Sequence, residues 1–442
     1  MTSSSKSPSV DFREISAGGS ISTPASGPVT LPGSKSITQR YFNLALLGGL
    51  DLSIRRPLLS EDTRLFLGAL ETCGYGVEIG DDWNVRLRAG QPSEGGEIFC
   101  GNGGTMFRFL TAALTTIPGR WVLDGVPRLR ERPVDALIDC LRQLGANIVC
   151  TDKEGYAPLV ITGGTLKGGE AVLDASASSQ FLSAVLMATL AAERPTTLRV
   201  SALTSAPYVD LTMDAIRDFG GRVRQHGDIF HVNPSELAAG EVEVEADYSA
   251  VAYPAAAAAL AGGTLRIAAL HPESRQGDRG FIDLLGAMGA DLRWVDGELE
   301  VSVAAPLRGI TADLSHMPDQ VPTLAALAPF ASGVTRITNV PHLRIKESDR
   351  LAAMARELGR VGAKVQELAD GLVIPGIWHG AGAPDGPKVP TNPVDIETYG
   401  DHRIAMSMAL VGLRRPGLRI SHPGVVAKSY PAFWKDLESW IA

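Results

Sequence analysis

The chain has 442 residues, of which 45% are hydrophobic and 20% charged, and its formal net charge is −8. That length suggests two or three ordinary domains or two large ones, with ample apolar content for their cores. The acidic balance excludes a general binder of nucleic acid or membrane surfaces.

Cys73, Cys100, Cys140 and Cys150 show no CxxC or metal-ligand spacing. They read as four thiols in a reducing compartment. The Ser-rich start, Met1 to Ser9, lacks the apolar run of a secretory signal. The most apolar stretch, Ala255 to Gly263, is too short to span a bilayer. A cytoplasmic protein is expected.

The first element with chemical content is Leu31-Pro32-Gly33-Ser34-Lys35-Ser36-Ile37-Thr38-Gln39-Arg40. Pro32 and Gly33 turn the chain, and Ser34 is placed to N-cap a helix that runs through Arg40 to Leu47. Free N–H groups and the positive dipole end at such a start favour an anion. Lys35, Ser36 and Arg40 add two cations and a hydroxyl, the last two positions one helical turn apart. The stretch reads equally well as an ordinary capped helix with basic surface residues.

A local phrase then recurs: an apolar helical pattern, a glycine near its end, and a strand-like run. Its marker glycines are Gly74, Gly145, Gly220, Gly289 and Gly362, at steps of 71, 75, 69 and 73 residues. A glycine there suits a left-handed helix C-terminus. Units of about 72 residues leave room for six, too long for common solenoid repeats. Strand candidates between the markers include Leu159–Ile161, Thr197–Val200, Val242–Val244, Thr264–Ile267 and Thr335–Thr338. The alternation predicts an α/β protein in two pseudo-symmetric halves of three units; the other reading is one irregular α/β fold.

Further along, Cys100-Gly101-Asn102-Gly103-Gly104-Thr105-Met106-Phe107-Arg108 is a Gly-rich turn entering a helix, which suits an anion or merely a tight loop. Arg128, Arg130 and Arg132 lie between Pro127 and Pro133, as a forked anion site or a solvated loop. Ser176, Ser178, Ser179 and Gln180 open an apolar helix, and simple capping explains one of these serines. Asp319 stands between Pro318 and Pro322 before a helix over 323–330, where it could merely stabilise the helix start. Arg344-Ile345-Lys346-Glu347-Ser348-Asp349-Arg350 is a charge cluster leading into a helix, with 346/350 and 347/350 predicted on one face. It could transfer protons, or be a solvated face. Asp401-His402-Arg403 opens another apolar helix, and Lys428 precedes a turn. His402 has no ligand partner at metal spacing, so no metal site is expected.

Taken together, these motifs resemble the enolpyruvyl transferases over nearly the whole chain, from Leu31-Pro32-Gly33-Ser34-Lys35-Ser36 to Ala427-Lys428-Ser429-Tyr430-Pro431. The resemblance implies a two-domain inside-out α/β barrel of six βαβαββ repeats, three per domain, that closes on its ligands. Domain I would be residues 1–31 and 247–442, with domain II residues 32–246 between them. The implied reaction transfers the enolpyruvyl group of phosphoenolpyruvate to the 5-hydroxyl of shikimate 3-phosphate, on the way to chorismate and the aromatic amino acids. No cofactor or metal is implied, and a monomer acting on small molecules is expected.

Carried over by motif, Lys35, Ser36, Arg40, Ser178, Ser179, Gln180, Ser205, Tyr208, Asp319, His342 and Lys346 would bind shikimate 3-phosphate. Phosphoenolpyruvate would be held by Lys35, Asn102, Gly104, Arg132, Gln180, Arg350, His402, Arg403 and Lys428. Asp319, with Lys346 close by, would take the hydroxyl proton, Glu347 would handle the methylene proton, and Lys35 would be a further catalytic group. Gly103 stands where the family often has Ala, Phe109 where Pro is common and His342 where Asn is common. The second of these could alter tolerance of the inhibitor glyphosate. Sister enzymes that use UDP-N-acetylglucosamine usually read Lys-Asn in place of Lys35-Ser36 and carry a reactive loop Cys, both absent here. A non-catalytic binder of phosphorylated metabolites on the same repeat would tolerate loss of Asp319 and Glu347.

Overall fold

The computed structural model describes residues 10–379 and 388–441. The Ser-rich start discussed above lies outside them. By internal contacts the chain divides into two compact units. One comprises Met1–Thr30, Ser249–Leu270 and Gly280–Ala442; the other comprises Leu31–Tyr248 and His271–Arg279. Side-chain chemistry explains why the short segment His271–Arg279 belongs with the second unit. Gln276 donates to the Ala246 carbonyl at 2.8 Å and to Glu245 at 3.0 Å, and the Tyr248 hydroxyl donates to the His271 carbonyl at 2.7 Å.

The second unit holds three small sheets of one pattern. In one, the strands lie in the order Gly95–Phe99, Gly119–Asp124, Leu159–Gly163, Asn147–Cys150. Its first pair is parallel and the others antiparallel. The sheet of Gly169–Asp174, Thr196–Ser201, Ile229–Val232 and Val223–His226 repeats this. In the third, Glu241–Glu243 supplies the parallel strand beside Leu52–Arg55, so the end of the segment completes a unit begun near its start. Strand Val85–Arg88 alternates buried and exposed residues, the signature of a sheet with one wet face.

Inside these sheets run the helices Lys35–Gly48, Gly104–Ala113 and Ser179–Ala188, which pack on one another. Nine of the ten residues of Ser179–Ala188 are buried, as expected for a helix apolar on all sides. Helices therefore form the interior and sheets the exterior, which is the inside-out arrangement.

The first unit carries three further sheets, again each with a parallel pair at one edge. Helices Val321–Leu327 and His402–Gly412 pack together and are buried along their whole lengths. Among the described residues there are six sheets, three per unit, on the βαβαββ plan. All five marker glycines have positive φ, between 79° and 105°, so each closes its helix in the left-handed region.

Candidate functional site

The predicted residues fall into two constellations, one in each unit, and each is built separately.

In the second unit, the helix Lys35–Gly48 begins as expected, but Ser34 does not cap it. The Ser34 hydroxyl is buried without a partner, and the Asp247 carboxylate accepts the Lys35 N–H at 3.2 Å instead. A carboxylate at a helix N-terminus satisfies both the orphan donor and the dipole. The Lys35 ammonium lies 3.2 Å from Asp62, another carboxylate that sequence reasoning missed. Arg40 is buried, not surface-exposed. It donates to Thr212 at 2.9 Å, to the Ser36 carbonyl at 2.7 Å and to the Tyr208 carbonyl at 2.8 Å. Burial lowers its pKa to about 10, against a raising effect of Tyr208. Arg40 thus sets the positions of Ser36 and Tyr208.

The Gly-rich turn enters the helix Gly104–Ala113 as expected. Of the three clustered arginines, Arg128 pairs with Glu131 and Arg130 with Asp124, both exposed, whereas Arg132 is buried and donates to the Asn102 carbonyl at 3.2 Å. A Cβ on Gly104 would lie 2.5 Å from Nη2 of Arg132, so only glycine admits this guanidinium over the helix start. Ser178 caps Ser179–Ala188 by accepting the Gln180 N–H at 3.2 Å. The Gln180 amide then accepts from Arg108 at 2.5 Å and donates to Thr105 at 2.9 Å. Arg108 is a further residue not singled out in sequence. Ser205 is buried with φ 52°, and Tyr208 donates to Asp278 at 3.2 Å. Phe109 lies buried inside the regular helix, its ring centroid 5.4 Å from the Arg40 guanidinium carbon.

The first unit brings Asp319, Glu347, Arg350 and Arg403 together. Asp319 sits on the short turn Pro318–Gln320 rather than capping the following helix Val321–Leu327. Its Oδ1 accepts from Arg350 Nη1 at 2.8 Å and its Oδ2 from Arg403 Nη2 at 2.7 Å. Burial pushes the Asp319 pKa up, but Arg403, Arg350 and Lys346 outweigh it and hold the carboxyl far below the usual range. Lys346 and Glu347 precede the helix Arg350–Arg360, which starts after its N-cap Asp349, so neither lies on the helical face expected for it. Glu347 still reaches Arg350, at 2.9 Å.

Behind Arg350 stands Asp401, accepting from Nε at 2.8 Å and Nη2 at 3.3 Å, from Ser348 at 2.9 Å and from the Arg403 N–H at 2.9 Å. Asp401 is fully buried as N-cap of His402–Gly412. Its signal in the sequence was its place directly before an apolar helix. His342, in the turn Pro341–Ile345, is buried, and desolvation followed by the Lys346 charge lowers its pKa to about 4. His402 is buried with Nδ1 3.8 Å from Asp401. Lys428 ends the turn Pro423–Lys428, which packs against His402–Gly412. All four cysteines are free thiols. Among the described residues no helix is long and apolar enough to cross a membrane.

Each unit of this α/β protein gathers cations and amide donors beside buried or partly buried carboxylates. The EPSP synthase (3-phosphoshikimate 1-carboxyvinyltransferase) family model matches residues 20–437. A 3-phosphoshikimate 1-carboxyvinyltransferase of Syntrophobacter fumaroxidans is 43% identical over 421 residues, 93% of this chain and 96% of the relative. One from Pseudoalteromonas atlantica is 40% identical over 422 residues, covering 93% and 96%. A solved EPSP synthase from Acinetobacter baumannii superposes with TM-score 0.79 at 28% identity over 98% of both chains. The chain belongs to the EPSP synthase family.

Proposed function

We infer that this chain transfers the enolpyruvyl group of phosphoenolpyruvate to the 5-hydroxyl of shikimate 3-phosphate, releasing 5-enolpyruvylshikimate 3-phosphate and phosphate. The observation that carries this is full-length similarity, at up to 43% identity, to relatives named for that acceptor. It favours shikimate 3-phosphate over UDP-N-acetylglucosamine.

The chemistry assigns roles to both constellations. Protonation of the phosphoenolpyruvate methylene makes its central carbon electrophilic, and the acceptor oxygen attacks there as it loses its proton. The tetrahedral adduct then loses a methyl proton and expels phosphate, so the proton count is restored. In this reading Asp319 takes the hydroxyl proton, and Glu347 delivers and recovers the methylene proton. Arg350 and Arg403 hold the carboxylate, Arg132 and Lys428 meet the phosphate of phosphoenolpyruvate, and Lys35 serves both ligands. Ser36, Ser178, Ser179, Gln180, Ser205 and Tyr208 hold shikimate 3-phosphate through hydroxyls, an amide and a helix start that add no charge. His342, neutral at pH 7, donates or accepts one hydrogen bond to the same ligand. Arg40 contributes by placing Ser36 and Tyr208. The enzyme acts as a cytoplasmic monomer in this reading.

The test is phosphate release with phosphoenolpyruvate and either shikimate 3-phosphate or UDP-N-acetylglucosamine. Release with the first alone is expected; release with only the second would overturn the assignment.

A further inference from the structure

We propose that Asp319 is an internal occupant of the seat formed by Arg350 and Arg403: its carboxylate fills the place an incoming carboxylate takes, and binding is an exchange of one for the other. The inference rests on the reading above, which gives these two arginines to the phosphoenolpyruvate carboxylate. The geometry is that of a bound ligand. The two oxygens of one carboxylate each accept from a different guanidinium, at 2.8 and 2.7 Å.

The arginines are fixed from behind. Asp401 holds Arg350 through two bonds and the Arg403 backbone through a third, and Tyr253 accepts from Arg403 at 3.4 Å. Among the carboxylates on Arg350, Asp401 is 0% exposed, Glu347 11% and Asp319 25%. Asp319 is therefore the member that solvent and ligand reach. It is also carried on a single short turn, Pro318–Gln320, rather than on a buried helix.

The exchange has a chemical consequence. A carboxylate clamped by two guanidiniums is a poor proton acceptor, because both cations favour its ionised form. When the ligand carboxylate takes over the arginines, Asp319 is released and its basicity returns. The base is then unmasked by arrival of the co-substrate, which keeps it from acting before the reactants are assembled.

The full chain is titrated calorimetrically with phosphoenolpyruvate and, separately, with oxalate, as wild type and as Asp319→Asn, Asp319→Ala and Glu347→Gln. If the seat is open in about a tenth of wild-type molecules, removing its occupant tightens binding about tenfold. Both Asp319 variants are expected to show this gain with both probes. Glu347→Gln removes the same unit of charge from Arg350 but leaves the seat filled, so its gain is expected to be a small fraction of that. Equal gains in Glu347→Gln and Asp319→Asn, or no gain in folded Asp319 variants, would overturn the proposal. In the unmodified chain, the ¹³C resonance of the Asp319 carboxyl must shift as oxalate binds; an unmoved signal at saturation would also overturn it. The oxalate arm is independent of the reaction. Absence of turnover with shikimate 3-phosphate would remove the assigned activity and leave the occupancy result standing.

Discussion

Arg350 and Asp401 meet in the buried interior, Nε to Oδ2 at 2.8 Å and Nη2 to Oδ1 at 3.3 Å, with side chains 2% and 0% exposed. Burial works to lower the Arg350 pKa, but Asp401, Glu347 and Asp319 together raise it above its ordinary value. The same Asp401 accepts the Arg403 N–H, so one carboxylate orients both arginines of the seat.

Removing one partner of a buried ion pair leaves the other uncompensated, at a cost of about 3–5 kcal/mol. Asp401→Ala is therefore expected to lose stability on that scale in urea unfolding. Asp401→Asn keeps an acceptor for the Arg403 N–H and is expected to lose less. In both, KM for phosphoenolpyruvate is expected to rise more than KM for shikimate 3-phosphate. Equal changes in the two would point to a structural role alone.

Gly104→Ala tests the approach of Arg132. The new Cβ would lie 2.5 Å from Nη2 and 2.7 Å from Cζ, so the guanidinium must move while the backbone stays. A displacement of this kind costs on the order of tenfold or more in kcat/KM for phosphoenolpyruvate, with the melting temperature nearly unchanged. Steady-state kinetics with each substrate varied in turn would check this.

Arg40 is expected to resist conservative replacement. Its fork reaches three separate acceptors, Thr212 and the carbonyls of Ser36 and Tyr208, which a lysine cannot match. Arg40→Lys should lower stability by about 2–3 kcal/mol, the scale of charged hydrogen bonds lost in burial. It should also raise KM for shikimate 3-phosphate through Ser36 and Tyr208. Unchanged unfolding in Arg40→Lys would contradict the placement.

Low pH should weaken the fold through His342. Its pKa falls from an ordinary 6.5 to about 4 in the folded chain, first by burial and then by Lys346. Folding therefore favours neutral imidazole, so this stabilisation is complete above about 6.5 and is lost as pH falls from there toward 4. Between pH 7 and 4.5 the loss is about 2 kcal/mol by linkage. His342→Gln should lack that portion in urea titrations at the two pH values. Asp319, whose pKa is also depressed, contributes stability that is lost only at more acid pH.

Much of the architecture was legible in the sequence because each marker glycine does a local job: all five stand in the left-handed region and feed a strand. The six sheets follow from that period. The polar groups were legible only as types. Lys35 meets Asp62 across 27 residues, Arg350 meets Asp401 across 51 and Arg108 meets Gln180 across 72, and no local pattern encodes such pairs. The face predicted for Lys346 and Arg350 failed because Asp349 caps the helix one residue before Arg350. Ser34 is a cap by residue type, but Asp247 supplies the stronger acceptor to the next N–H.

The most direct test is paired ¹³C and ³¹P NMR of a mixture of this enzyme, ¹³C-labelled phosphoenolpyruvate and shikimate 3-phosphate. A new enol ether on the 5-oxygen is expected, with one phosphate released for each ether formed. Phosphate appearing with labelled pyruvate and no ether, or an unchanged spectrum, would contradict the assigned reaction.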